Sequence, residues 1–342
     1  MKNLYFLLLS LIVFVIIVSC DNSTKKVYRY YEGPIQGTYF HITYEWDIDL
    51  SREIDSLLQN FNKSLSNYDS LSVISKLNYN LSDEVDSLFK KMFKKSYEVY
   101  KITDGAFDIT VAPIANLWGF GWKRSFDWMK KDDNEIPDSA LIAETLVYVG
   151  MDKVKIKNNK LTKAYPETMF ISNAIAQGLS ADYLADYFFK LGLKNFLIEI
   201  GGEIYSYGLN SKGEKWKIGI DKPIEGTDYS NRENQIVISI SSKGIATSGN
   251  YRKYKQNGNK KYGHSLDPRT GYPAENSLLS VTVVADDCMT ADAFATAFMV
   301  MGLEKSLKII DSLKNIDAYF IFLDQQGKER VVYSDGFGDY LK

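Results

Sequence analysis

The sequence predicts one compact α+β domain, with mixed or antiparallel sheets and helices packed beside them. Helical and strand patterns alternate irregularly along the chain, and neither a repeat nor a low-complexity linker interrupts them. Of the 342 residues, 45% are hydrophobic and 14% are aromatic, which is too apolar for a disordered chain. No hinge separates two domains.

The predicted strands are short apolar runs. They cover 38–44, 196–200, 216–220, 236–241, 280–285 and 318–323, and a hairpin covers 154–157 and 161–162. The run 196–200 is predicted to be a buried strand, and it ends in Gly201-Gly202.

The predicted helices have apolar residues at spacings of three and four. They cover 54–61, 84–100, 179–191, 289–301 and 303–313. Lysines lie between the apolar residues of 84–100, which indicates a surface helix with one buried face. The charged segment 123–137 is predicted to be an exposed loop or an insertion.

The composition excludes several functions. The formal net charge of −2 lacks the basic surplus of most nucleic-acid binders, so no nucleic-acid partner is expected. Two cysteines, Cys20 and Cys288, are too few for a disulfide framework. Two histidines, His41 and His264, cannot form a zinc site of several histidines.

The first twenty residues have the pattern of a targeting segment. Lys2 precedes an apolar run over 4–18, which is short for a membrane span but suits a signal peptide. The run ends in Ile-Val-Ser-Cys at Cys20, which resembles the lipobox of bacterial lipoproteins. The alternative is an ordinary signal peptide with an incidental cysteine.

The lipobox predicts a division of the chain into a signal peptide over 1–19, a lipidated N-terminus and tether over 20–30, and a folded domain over 31–342. It further predicts a protein of the bacterial cell envelope, anchored to a membrane through a lipid on Cys20 and facing the periplasm or the exterior.

Asp292 and Thr296 form the first candidate site. They are four residues apart, so their oxygens share one face of the predicted helix. Small residues surround them and would let a ligand approach closely. Carboxylate and hydroxyl oxygens suit Mg²⁺ or Ca²⁺, although an aspartate near a helix N-terminus is more often a cap.

Polar and aromatic segments elsewhere also suggest a binding site. Residues 173–178 place small residues before a helix, where backbone groups can approach an anion or a metal. Residues 246–251 place hydroxyls and a glycine directly after a strand, which suits contact with phosphate. Residues 264–271 combine a histidine with an aspartate and an arginine. Residues 105–113 and 117–121 carry aromatics that could stack on a flat ring. Each pattern alone fits an ordinary turn or core equally well.

Taken together, these motifs resemble the ApbE family, the FAD:protein FMN transferases, over about residues 37–302. Three segments are similar to the family's C-terminal signatures: Ala246-Thr-Ser-Gly-Asn-Tyr, His264-Ser-Leu-Asp-Pro-Arg-Thr-Gly and Ala291-Asp-Ala-Phe-Ala-Thr. Further matches in the family's order are Gly37-Thr38, Tyr68 with 72–78, Ala106-Phe-Asp-Ile-Thr, Trp118-Gly-Phe-Gly and Ile198-Glu-Ile-Gly-Gly-Glu203. The resemblance implies a domain related to the T-fold.

The resemblance also implies a reaction and its site. The FMN moiety of FAD passes to a Thr or Ser hydroxyl of a target protein as a phosphoester, and AMP leaves. The Ala174 backbone oxygen and the side chains of Asp292 and Thr296 would hold a divalent metal, with Mg²⁺ expected and Ca²⁺ as the alternative.

The resemblance assigns catalysis to Asp292, through the metal, and to His264, through proton transfer or stabilisation of the leaving group. The expected cofactor-binding residues are Gln36, Tyr68, Ala106, Phe107, Asp108, Gln177, Thr247, Ser248, Gly249, His264 and Ser265. The expected partners are FAD as the substrate and acceptor proteins, with membrane electron-transport subunits as the acceptors.

One segment departs from the family pattern. Family members commonly have Ala-Ile-Ala-Lys-Gly where this chain has Ala174-Ile-Ala-Gln-Gly178, so Gln177 replaces a lysine expected to face FAD. Ile171 stands where an aspartate is usual. Two other functions therefore stay open: a metal-dependent FAD pyrophosphatase that releases FMN and AMP, and a non-catalytic FAD-binding lipoprotein, which Gln177 supports best.

Overall fold

The computed structural model describes residues 26–122, 136–224, 233–250, 254–257 and 260–341. The predicted signal peptide, Cys20 and nearly all of the predicted loop over 123–137 lie outside the described residues. Within the described part of the chain, every helix is too short or too polar to span a membrane.

An eight-stranded sheet organises the fold, and each of its neighbouring strand pairs is antiparallel. Its order is β1-β2-β5-β6-β9-β14-β15-β16. These strands are β1 Tyr28–Ile35, β2 Thr38–Glu45, β5 Phe196–Ile200, β6 Glu203–Tyr207, β9 Lys243–Gly249, β14 Leu278–Ala285, β15 Asp317–Leu323 and β16 Glu329–Tyr333. β1 begins inside the segment that the sequence analysis assigned to the tether.

Four hairpins add two-stranded sheets to the described part of the chain. Their strands are β3 Val154–Lys157 with β4 Lys160–Lys163, β7 Trp216–Asp221 with β8 Asn234–Ile240, β10 Tyr254–Asn257 with β11 Lys260–Gly263, and β12 Leu266–Asp267 with β13 Tyr272–Pro273.

The helices are named in chain order. They are α1 Ser51–Leu65, α2 Val73–Asn78, α3 Ser87–Ile102, α4 Ala112–Leu117, α5 Ser139–Leu146, α6 Ala176–Leu191, α7 Cys288–Met301 and α8 Leu303–Ile310. Helix α7 packs on β9, β14 and α6. It is rich in alanine and apolar on nearly all sides, as expected of a helix enclosed by other elements.

The core lies on both faces of the sheet. On the helical face, aromatic residues from α1, α3 and α7 meet apolar residues of β14 and β15. On the opposite face, the β7–β8 hairpin packs on β6, β9, β14 and β15. Because β14 is covered on both faces, nearly all of its residues are buried. The strands under α7 therefore form a rigid base.

The predicted α+β class and the predicted elements are confirmed, with shifted boundaries. Helix α6 begins at Ala176, three residues before the predicted start, so Gln177 and Gly178 lie in its first turn. The prediction that 246–251 follow a strand is wrong, because residues up to Gly249 belong to β9 itself. Their pairing with β14 overrides a turn-like composition.

Candidate active site

Every site residue predicted from the sequence borders one cavity of about 1380 Å³. These residues are Gln36, Tyr68, Ala106, Phe107, Asp108, Ala174, Gln177, Thr247, Ser248, Gly249, His264, Ser265, Asp292 and Thr296. They come from the β1–β2 turn, β9, the start of α6, the first nine residues of α7, and several loops. The cavity is larger than a usual small-molecule pocket and has room for a dinucleotide.

Near the N-termini of α6 and α7, an aspartate of each helix accepts hydrogen bonds from backbone N–H groups of the other helix. Asp292 of α7 accepts a hydrogen bond from the Gly178 N–H at 3.0 Å, near the start of α6. Asp182 of α6 accepts from the Cys288 and Met289 N–H groups at 2.8 and 2.9 Å, at the start of α7. Free backbone N–H groups at a helix start attract negative charge, so each helix supplies a carboxylate to the other.

Gly178 allows this close approach. A β-carbon there would lie 2.8 Å from the Asp292 Cβ and 2.5 Å from the Cys288 carbonyl oxygen. The glycine is therefore required by packing between the two helices, whereas the sequence analysis expected small residues here to allow the approach of an anion or a metal.

A second carboxylate, that of Glu203, lies beside Asp292. Glu203 is the first residue of β6 and borders the same cavity, yet its side chain is buried, with 8% of its surface exposed. Burial raises the pKa of Asp292 to about 7, and the Gly178 hydrogen bond opposes that shift. Burial and then the Asp292 carboxylate hold the pKa of Glu203 well above its usual range.

Neutral oxygens complete this part of the cavity. The Gly178 N–H is one of the first-turn donors that have no partner within the helix, and it donates to Asp292, while Ala174 just before the helix borders the cavity. The Thr296 hydroxyl lies 3.3 Å from the Ser248 hydroxyl of β9. The residues of the cavity wall thus combine carboxylate and hydroxyl side chains with Ala174, whose side chain carries no oxygen.

This donor set fits a hard divalent cation such as Mg²⁺, which prefers oxygen ligands and keeps several waters. One observation supports a cation here: Glu203 Oε2 is buried without a hydrogen-bond partner. No cluster of three or more His, Cys, Asp or Glu side chains suited to a metal occurs among the described residues. A metal here would therefore rely on few carboxylates and on other oxygens.

Two glutamine side chains border the cavity. Gln36 lies in the β1–β2 turn with a positive φ of 51°, and both polar atoms of its amide are buried without a partner. Gln177 places its amide nitrogen over Gly201, where a β-carbon would lie only 2.2 Å from it. Gly201 has a φ of +69°, a backbone conformation that favours glycine in this turn.

The segment 264–271 divides into two parts. His264 and Ser265 border the cavity, and the His264 ring packs edge-on against Phe120 with 6.4 Å between ring centroids. Asp267 and Arg269 instead form a two-pronged ion pair with each other, at 2.8 and 2.7 Å. Their pairing fixes the turn that follows the histidine.

The aromatic segments occupy different environments. Tyr68 is 71% exposed at the cavity rim, where a flat ligand could reach its ring. Phe107 is buried, and Asp108 bonds inward to the Thr110 and Met151 N–H groups at 2.7 and 3.1 Å. The carboxylate of Asp108 therefore holds the scaffold, while the segment still borders the cavity.

The segment before Ala174 is clamped by two buried asparagines. Asn78 exchanges hydrogen bonds with both backbone groups of Phe170, at 2.9 and 2.7 Å. Asn67 donates to the Phe170 carbonyl and accepts from the Ser172 N–H, at 2.8 and 2.9 Å. The α1–α2 region therefore fixes the chain that leads to Ala174.

Sequence reasoning did not assign Glu203, Asp182 or Asn67 to the site. For Glu203, the sequence did contain one clue, the two glycines that precede it. Two glycines after a buried strand indicate a tight turn, and such a turn fixes the direction of the side chain that follows it. The roles of Asp182 and Asn67 depend on contacts with residues more than a hundred positions away, for which the sequence carries no local pattern.

The fold and this cavity define a class: a one-domain α+β protein with a dinucleotide-sized cavity lined by carboxylates and hydroxyls where the N-terminal turns of two helices meet. The model of the ApbE family matches residues 36–320. The chain therefore belongs to the ApbE family.

Curated relatives and solved structures agree with this assignment. The chain is 32% identical to the FAD:protein FMN transferase of Haemophilus influenzae, over 96% of this chain and 95% of that protein. It is 34% identical to the FAD:protein FMN transferase of Vibrio cholerae, over 89% and 90%.

Among solved structures, the flavin transferase ApbE from Vibrio cholerae matches with a TM-score of 0.80 at 33% identity, covering 92% of this chain and all of that one (100%). The apo form of the Pseudomonas stutzeri flavinyl transferase ApbE matches with a TM-score of 0.80 at 27% identity, covering 94% and 99%. The predicted ApbE-like α+β fold is thereby confirmed.

Proposed function

We propose that this protein transfers the FMN moiety of FAD to a Thr or Ser hydroxyl of acceptor proteins, as a phosphoester, with Mg²⁺ and with release of AMP. Membership of the ApbE family and the names of its full-length relatives support transfer of FMN from FAD to protein. The single observation that carries the proposal is the convergence of the family's separate motifs on one cavity of sufficient size.

A bound Mg²⁺ would neutralise charge on the pyrophosphate, and Asp292, Thr296 and the Ala174 carbonyl are the groups expected to hold it. The chain's own contribution is mainly positioning. Thr247, Ser248 and Gly249 lie along the strand that borders the cavity, where hydroxyl and backbone groups can orient phosphate oxygens.

The bond changes follow from the reaction. The acceptor oxygen forms a bond to the FMN phosphorus, the bond from that phosphorus to the bridging oxygen breaks, and its electron pair leaves with AMP. We propose that His264 accepts the proton of the acceptor hydroxyl or donates a proton to the leaving AMP. Imidazole exchanges protons near neutral pH, and His264 borders the cavity. Tyr68 and Gln36 are proposed to contact the flavin or adenine end of FAD.

Incubation of the protein with FAD, Mg²⁺ and a purified candidate acceptor tests the proposal. We expect the acceptor's mass to rise by the mass of FMN less one water as AMP is released in equal amount. Release of both FMN and AMP with an unmodified acceptor would indicate a pyrophosphatase. Binding of FAD with no AMP release, across several acceptors and metals, would indicate a non-catalytic flavin-binding protein.

We also propose attachment to a membrane of the bacterial cell envelope through a lipid on Cys20, with membrane electron-transport subunits as acceptors. The support is the Ile-Val-Ser-Cys pattern that ends at Cys20. We expect Cys20→Ser to release the protein into the soluble envelope or external fraction, or to stall its processing. Retention of the variant on membranes after a salt wash would contradict the anchor.

A further inference from the structure

Glu203 is held in place by the turn between β5 and β6. Gly201 and Gly202 have positive φ angles of 69° and 113°, which allow the chain to reverse within two residues. Glu203 pairs directly with Ile200 across the two strands. Ile200 belongs to the core under α6, so Glu203 projects from the same sheet face as that core. The turn therefore presents the carboxylate to the cavity beside α6 and α7.

Within the described part of the chain, Glu203 lies beside negative and uncharged groups and has no salt-bridge partner. None of the ion pairs within the described residues includes Glu203 or Asp292. The adjacent charged group is Asp292, whose carboxylate repels that of Glu203. Over Gly201 lies the uncharged amide of Gln177. Burial of a charged carboxylate that lacks a cationic partner is unfavourable, so two neighbouring buried carboxylates are stabilised by a cation or by protons.

We infer that Glu203 is a second carboxylate of the divalent-cation site, where it binds the cation together with Asp292, directly or through one bound water. This inference rests on the metal dependence proposed above. Glu203 Oε2 is buried, unpartnered and on the cavity wall shared with Asp292, Ala174 and Thr296. With Gln177 in place of a lysine, the cation supplies positive charge beside the two carboxylates.

Binding of Mn²⁺ alone to the whole protein, measured by electron paramagnetic resonance without FAD, tests this role. We expect Glu203→Gln to weaken Mn²⁺ binding by about 10- to 100-fold, the usual effect of losing a group that supports a metal. Glu203→Asp keeps the charge, and we expect it to bind Mn²⁺ more tightly than Glu203→Gln. Thermal melting confirms that each variant is folded.

Glu199→Gln is the matched control. Glu199 lies four residues earlier, pairs with His41 at 3.5 Å, and projects from the opposite side of its strand to Ile198 and Ile200. Glu199→Gln removes one negative charge near Glu203, as Glu203→Gln does, but Glu199 does not border the cavity. We therefore expect this variant to bind Mn²⁺ as the wild type does.

Two outcomes would overturn the inference in different ways. If Asp292→Asn loses Mn²⁺ while Glu203→Gln binds it as tightly as the wild type, Glu203 has no part in the site and the proposed metal dependence stands. If the wild type itself binds no Mn²⁺ and turns over FAD without a divalent cation, the proposed metal dependence fails, and the role of Glu203 fails with it.

Discussion

Asp182 and Asp292 lie at opposite ends of the same contact between α6 and α7, and they differ in how fully they are bonded. Each oxygen of Asp182 accepts a backbone hydrogen bond, from Cys288 and from Met289. Asp292 accepts one backbone bond, on Oδ2, from Gly178. Asp292 also borders the cavity and faces Glu203, whereas Asp182 is not part of the cavity wall.

The pKa values do not distinguish the two groups, because burial raises the pKa of each to about 7. What distinguishes them is unused hydrogen-bonding capacity. A buried carboxylate whose two oxygens both accept hydrogen bonds stabilises the fold. Asp292 has an oxygen without a backbone hydrogen bond and lies beside Glu203, whose Oε2 has no partner, so this pair is suited to bind a ligand. The comparison predicts that substitutions at the two positions separate function from stability.

The largest effect is expected at Asp292. Asp292→Asn keeps the shape of the side chain but removes the charge that attracts a cation. We expect Mg²⁺-dependent AMP release from FAD to fall by more than about 100-fold, since losing even an indirect metal contact costs about 10- to 100-fold. Thermal melting should show a folded protein. Full activity with an unchanged metal requirement would place the metal elsewhere.

Asp182→Asn should affect stability instead. The amide retains one acceptor oxygen and turns an N–H donor toward a backbone N–H, so one buried donor loses its partner. We expect the free energy of unfolding to fall by about 1–3 kcal/mol, measured by denaturant titration. Mn²⁺ affinity at a temperature where the variant is folded should stay close to that of the wild type. A loss of Mn²⁺ binding as large as in Asp292→Asn would break the comparison.

The stability of the metal-free protein should depend on pH through both groups. Their folded pKa of about 7 exceeds the usual value of 3.8, so the folded state binds more protons between these values. The associated stability is present at low pH and is lost as pH rises through about 7. We expect the melting temperature without metal to fall by several degrees between about pH 5 and pH 8.

Saturating Mg²⁺ sharpens the same experiment, because a cation competes with protons for Asp292 but not for Asp182. Asp292→Asn should therefore flatten part of the metal-free pH dependence and remove the Mg²⁺ effect. Asp182→Asn should flatten part of the pH dependence and keep the Mg²⁺ effect. Equal Mg²⁺ effects in both variants would contradict the distinction.

The sequence was sufficient for the fold class and for residues whose relation is local. Asp292 and Thr296 are one helical turn apart, so their shared face follows from spacing alone. Glu203 required the pairing of β5 with β6 and the approach of α7, neither of which has a local pattern. Gly178 was interpreted as part of a turn before the helix, whereas its position inside α6 and its contact with Asp292 depend on tertiary packing.

Gln177→Lys should give the smallest effect. The amide lies over Gly201 at the turn that leads to Glu203, so a lysine there would bring a positive charge to the uncompensated carboxylates. A charge-assisted hydrogen bond to phosphate contributes about 1.5–3 kcal/mol when it forms. Attraction to Glu203 competes with that contact, so we expect the lower end of this range, about tenfold tighter FAD binding without metal.

With Mg²⁺ present, the new ammonium and the cation repel each other and share the same carboxylates, so the gain in FAD affinity should nearly vanish. Higher salt should also reduce the gain, because part of it is screened. Titration of FAD into both proteins, at two salt concentrations and with and without Mg²⁺, measures all of these effects. Weaker FAD binding by the lysine variant under every condition would show that residue 177 does not face the pyrophosphate. The absence of a lysine at position 177 would then not affect how Asp292 and the cavity beside it bind a ligand.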